Sequence, residues 1–243
     1  MFGAGRLVAC LAAVFTLAGT VSAQEIESAR FTDPTTFYDH AILGDAVEYS
    51  AMRVQLSNGR VFGVSVAEDG RVFEDTAPRL WDVTGDGKPE IVVVETDPAR
   101  GAQLAIYGFD GDTIRKLAAT PHIGQTHRWL APVGAGDLDG DGRIEIAYVD
   151  RPHLRKVLRI WRYGDGWFVP VVDVPRLTNH RIGWNFIPGG VRDCGHGAEV
   201  ITADADWKNV MATRWDGKSA SARAVGRYRG PESLDRAMRC ALR

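Results

Sequence analysis

Apolar residues in this chain gather in short runs, set off by breaks rich in aspartate and glycine. Glu90-Ile-Val-Val-Val-Glu95, Glu145-Ile-Ala-Tyr-Val-Asp150 and Glu199-Val-Ile-Thr-Ala-Asp204 are three such runs, each closed by a carboxylate at both ends. Val/Ile-rich runs of this length suit strands buried on both faces. Glu48-Tyr-Ser-Ala-Met-Arg53 aligns as a further copy. A second marker repeats in phase: Gly59, Gly111, Gly166 and Gly217 each follow Asn or Asp and sit between strand-like segments, the pattern of a tight hairpin turn.

Each unit therefore reads strand, acidic loop, strand, loop, strand, tight turn, strand. Four-stranded units with a period of roughly 40–55 residues predict a β-propeller. The expected fold is all-β, a small propeller of about four blades over residues 24–230, with repeats near 28–70, 71–124, 125–178 and 179–230. The first blade is short, and residues 28–39 are expected to supply a replacement strand that closes the ring. From Pro231 the spacing becomes helical, with Leu234, Ala237, Met238 and Ala241 on one face, predicting a helical tail over 231–243.

Residues 1–23 read as a signal peptide: Arg6, an apolar run from Leu7 to Leu17, then Val21-Ser22-Ala23 at the cleavage position. That run is too short to span a bilayer, and no later one is longer, so the expected location is exported, periplasmic or extracellular, with no transmembrane segment in the mature chain. Cys10 sits too close to the N-terminus for a lipid-attachment signal. A formal net charge of −2 points to neither nucleic acid nor a membrane surface as partner. In an oxidising compartment Cys194 and Cys240 are expected to form a disulfide, closing a loop of about 46 residues worth roughly 4 kcal/mol in the chain-entropy model.

The acidic loops carry the candidate chemistry. Asp137, Asp139 and Asp141 alternate with small or turn-forming residues, and Glu145 follows. With the backbone carbonyl of Arg143 these oxygens can converge on one hard cation; calcium accepts six to eight, and Gly142 permits the sharp turn. A second loop offers Asp82, Thr84, Asp86, the Lys88 carbonyl and Glu90, and the neutral Thr84 predicts weaker binding. An EF-hand is excluded, because Tyr148 and Val93 stand where its bidentate glutamate belongs and both loops run into strands. No calcium is expected where Val191, Asp193 and Gly195, or His40, Ile42 and Gly44, replace the acidic triplet.

Leu130 to Val149, with its inner strand, acidic loop and following strand, resembles an FG-GAP repeat, the integrin-alpha-type blade also found in bacterial VCBS-repeat proteins. Residues 79–95 are similar but lack the glycine-rich inner strand. The resemblance implies a propeller with calcium held in rim loops by the residues named above.

On the face opposite those loops, His127-Arg128-Trp129 precedes the third unit, and His180-Arg181 with Trp184 precedes the fourth. Arg151 and His153 join them from a strand-connecting loop, as does the segment Asp206-Trp207-Lys208. Arg, His and Trp together suit a glycan or anionic ligand, or an envelope protein. No nucleophile motif is present, so a non-catalytic binding or scaffold module is the first reading. The alternative is a hydrolase or lyase on polysaccharide or phosphoester, using His127, His153 or His180 as acid or base.

Overall fold

A computed structural model describes Met1 and residues 24–242 of the chain; the signal-peptide reading falls on residues outside that description. Seventeen strands and one helix are present among the described residues. The first eight strands are β1 (Ile26–Thr35), β2 (Glu48–Leu56), β3 (Val61–Ser65), β4 (Val72–Phe73), β5 (Arg79–Trp81), β6 (Glu90–Asp97), β7 (Gly101–Phe109) and β8 (Ile114–Ala119). They form one composite sheet in the order β1-β2-β4-β6-β7-β8, with β3 also on β2 and β5 also on β6. A middle sheet contains β9 (Leu130–Gly136), β10 (Glu145–Asp150), β11 (Val157–Gly164) and β12 (Trp167–Pro175) as an antiparallel meander. The last sheet holds β13 (Leu177–Thr178), β14 (Gly190–Asp193), β15 (Ala198–Asp204), β16 (Asn209–Trp215) and β17 (Ala220–Arg227), and the chain ends in α1 (Pro231–Met238).

The three apolar runs became β6, β10 and β15, buried as their composition requires. Alternate residues face opposite ways on a strand, so each run feeds two core layers. Ile91 and Val93 pack with Met52, Val54 and Phe73, whereas Val92 and Val94 pack with Trp129, Leu130, Ile146 and Tyr148. Ala147 and Val149 then meet Leu177, Val200 and Trp215 across the next seam. The other side of the last sheet, through Ile201, Val210 and Ala212, is covered by Leu234 and Ala237 of α1. The sheets thus stack in a row, with the helix closing its C-terminal end.

All four glycine turns form as predicted, with positive φ at Gly59, Gly111, Gly166 and Gly217. The helix forms too, but stops at Met238, and Cys240 lies beyond it at φ 58°. A Cys194–Cys240 disulfide, with Cα atoms 5.7 Å apart, ties that end to the loop before β15.

The first unit differs from its expected register. Tyr49 pairs with Phe73, and Phe73 with Glu95, so the start of β2 lies level with the end of β6. Arg60, beside the Gly59 turn, donates to the Asp112 carbonyl at 3.2 Å, which puts that turn next to the Asp110-Gly111 turn. β2 therefore occupies the place that β7 holds in its unit. Glu48 is not the counterpart of Glu90 but lies at the opposite end of the sheets. A carboxylate before an apolar run marks a strand start without saying which strand it starts. The expected replacement strand is β1, yet it pairs with β2 of its own sheet and does not bridge to the last one. Residues 36–47 instead form a loop across one rim, where Gly183 N donates to the Ile42 carbonyl at 3.1 Å.

Candidate functional site

Glu145 and Asp150 open and close β10, so the two ends of the strands define two rims. At the first rim, Asp137 folds its loop by accepting from Gly140 N and Asp141 N on one oxygen (2.7 and 3.1 Å) and Gly142 N on the other (2.9 Å). Asp82 does the same for Gly85 N (2.7 Å) and Gly87 N (2.9 Å). Both loops thus curl alike, for the same reason: an aspartate caps the backbone N–H groups that a tight turn leaves unpaired.

Carboxylate oxygens of Asp137, Asp139 and Glu145 converge to within 4.8 Å of one another. Sequence reasoning missed the cation beside them. Arg162 lies directly opposite Glu145 in the β10–β11 register. Its guanidinium bonds the Glu145 carboxylate and reaches Asp139 and Asp141 at 3.1 Å each. Arg143 also pairs with Asp141, at 2.7 Å; that hydrogen bond and the Arg162 charge hold the Asp141 carboxyl down to about 2. Glu145 is fully buried, and burial raises its carboxyl above the usual range despite Arg162 and the Leu138 N–H. Arg162 also lies 5.1 Å from the centre of the Trp215 ring, and the Gly217 turn closes on Asp139, so this loop sits at the seam of two sheets.

The Asp82–Glu90 loop is built differently. Glu90 accepts from Val83 N (2.8 Å), Thr84 N (3.1 Å) and the Thr84 hydroxyl (3.2 Å), so Thr84 spends its hydroxyl proton on the glutamate. Among the described residues Asp82, Asp86 and Glu90 do not converge as the other triplet does. In the last sheet Glu199 is buried among Arg192 (3.0 Å), Arg223 (2.7 Å) and Arg214 (3.5 Å). Asp193 there caps Gly195, His196 and Gly197 N–H groups.

The opposite rim carries a pocket of about 190 Å³. His127, Arg128, Trp129, Arg151 and His153 line it. His180 is fully buried behind His153, with one ring nitrogen 3.1 Å from His153 Nε2 and the other 2.9 Å from the Trp184 carbonyl. Burial pushes both imidazoles down to about 4, so both are neutral at pH 7. Arg181 and Trp184 are not brought to the pocket; Arg181 lies 4.6 Å from the Trp207 ring centre, and Trp184 packs on Trp207 and Phe186.

Two lining residues, His40 and Ile42, come from the β1–β2 loop. His40 Nδ1 lies 2.5 Å from Glu74, which is 1% exposed and also accepts from the Thr96 hydroxyl at 2.7 Å. Burial raises the Glu74 carboxyl, and pushes nearby Glu48 up to about 7. His40 rather than a degenerate calcium loop is what that segment supplies. Only the tertiary route of residues 36–47 brings it here, although its spacing from other histidines in the chain gives no hint.

Compared with known proteins, residues 82–148 match the FG-GAP-like repeat family, from the first residue of the Asp82–Glu90 loop into β10. No curated protein matches the chain. Over that stretch the likeness is to an FG-GAP-type repeat. Among the described residues, no helix is long and apolar enough to cross a membrane.

Proposed function

We propose that the chain is an exported, calcium-binding module of the cell envelope, built as a small propeller of about four blades, whose role is to bind rather than to catalyse. The observation that carries the calcium reading is the charge at the Asp137–Glu145 loop. Four carboxylates (Asp137, Asp139, Asp141, Glu145) face two guanidinium groups (Arg143, Arg162), leaving two negative charges for one divalent cation to neutralise. The donor set is all oxygen, which suits calcium, with the Arg143 carbonyl as a further ligand. The Asp82–Glu90 loop, with Thr84, Asp86 and the Lys88 carbonyl, is the weaker copy. Export is supported by the leader-like residues 1–23 and by the disulfide, which persists in oxidising compartments. The test is a melting curve of the mature chain with calcium and with chelator. Identical curves in millimolar calcium overturn the metal reading.

One observation favours a second reading. His40, backed by buried Glu74, resembles an acid–base pair aimed at a pocket, which suits a hydrolase better than His180 does, since both of its nitrogens are engaged. Loss of turnover on a polysaccharide or phosphoester in His40→Ala, with an unchanged melting curve, would establish it.

A further inference from the structure

The pocket at the second rim constrains its ligand in three ways, and the inference drawn from them rests on reading the chain as a binding module. The first constraint is a proton count. The Trp184 carbonyl can only accept, so His180 carries its proton on Nε2 and leaves Nδ1 bare. His153 must then donate from Nε2 to that bare nitrogen, and its own Nδ1 holds an unprotonated lone pair. That lone pair can accept from a ligand O–H or N–H.

The second constraint is charge. Asp150, 2% exposed, is shared by Arg151 (2.8 Å), Arg159 (3.1 Å) and Arg155 (3.5 Å), and Arg159 also reaches Asp173 at 3.7 Å, so two carboxylates face three guanidinium groups. Arg128 adds a fourth, held through one nitrogen by the His127 carbonyl at 2.8 Å. Even with Asp39 on His127 at 2.9 Å, the guanidinium groups outnumber the carboxylates at this edge of the pocket, which selects an anionic group, and guanidinium favours a carboxylate through paired hydrogen bonds.

The third constraint is shape. Ile42 and Trp129 form an apolar floor, while Leu154 and Ile182 stand at the lip, 65% and 68% exposed. A volume of about 190 Å³ is below that of pockets for drug-sized ligands, so a single ring fits rather than an oligomer. The backbone is also held in costly conformations where it presents these groups: φ is +49° at Ala41, +51° at His127 and +47° at Arg151. Left-handed non-glycine residues gather where a site needs fixed geometry.

We propose that this pocket binds a small planar hydroxy acid, its carboxylate on Arg128 and Arg151, its hydroxyl donating to His153 Nδ1, and its flat apolar body between Leu154 and Ile182. Three probes separate the contributions: 4-hydroxybenzoate has both groups, benzoate lacks the hydroxyl, and phenol lacks the carboxylate. Titration calorimetry on the mature chain in calcium should find 4-hydroxybenzoate bound about tenfold more tightly than either of the others. His153→Phe should erase its advantage over benzoate, and Arg128→Gln should weaken both acids several-fold while leaving phenol unchanged. Equal affinity for all three probes, no heat from 4-hydroxybenzoate up to about 10 mM, or a His153→Phe protein that keeps the preference overturns the proposal. Should His153→Phe not fold, the probe series and Arg128→Gln decide alone. Melting curves with and without calcium on the same samples separate the two claims: a calcium shift without hydroxybenzoate binding refutes the pocket and spares the metal.

Discussion

Glu145 and Glu199 open equivalent strands, both are buried, and both face an arginine from the neighbouring strand, yet their surroundings differ in sign. Around Glu199 three guanidinium groups attend one glutamate. Burial opposes its ionisation, but the hydrogen bonds from Arg192 and Arg223 outweigh that and hold the carboxyl below the usual range. Around Glu145 the carboxylates outnumber the arginines, and burial prevails over Arg162. A buried glutamate at this point of the repeat needs a counter-charge. The last sheet draws it from its own side chains, whereas the middle sheet keeps a surplus of carboxylates, which the proposed cation would neutralise. Glu90, opposite neither lysine nor arginine, depends on N–H groups and the Thr84 hydroxyl instead.

The sharpest way to break this comparison is Glu199→Ala. It leaves Arg192, 2% exposed, without its carboxylate, and should cost about 3–5 kcal/mol in urea denaturation whether or not calcium is present. A small cost, or one that calcium restores, would mean the arginines are not the counter-charge. Next comes calcium itself. With affinities of roughly 0.1–1 mM, about 5 mM calcium should add about 1–2 kcal/mol, or roughly 2–8 °C in melting temperature. Asp139→Ala should remove most of that shift, whereas Asp193→Ala should leave it intact.

Arg162→Gln sharpens the contrast further, because it removes a positive charge from the cation's place. Calcium affinity should rise by up to about tenfold by titration, as expected for a like charge withdrawn from a partly screened site. Weaker calcium binding would mean that Arg162 positions the carboxylates rather than competing with the metal.

The remaining test is in pH. Glu199 has a depressed carboxyl, so its contribution is present above the unfolded value near 4.5 and is lost as pH falls through the lower folded value. His153 and His180 are depressed to about 4 from 6.5, so the unfolded chain takes up protons first and stability declines as pH drops between about 6.5 and 4. Denaturation midpoints for His180→Gln should be flatter across that window than those of the unaltered chain.

Local chemistry was enough to read much of this protein from its residues. Strands β6, β10 and β15, the four glycine turns, the aspartate-capped loops, the C-terminal helix and the cysteine pair all follow from patterns spanning a few residues, since hydrogen-bond caps, left-handed turns and alternating burial are decided by near neighbours. What the sequence could not decide was which charges meet. Arg162 lies far along the chain from Asp139, and only strand register brings it opposite Glu145. His40 reaches the pocket because residues 36–47 cross the rim, and Glu48 was misplaced because its strand fills the third position of its unit and not the second. Counter-charge is a property of neighbours in space, so the divide between a loop with surplus carboxylates and a self-neutralised one belongs to the tertiary structure.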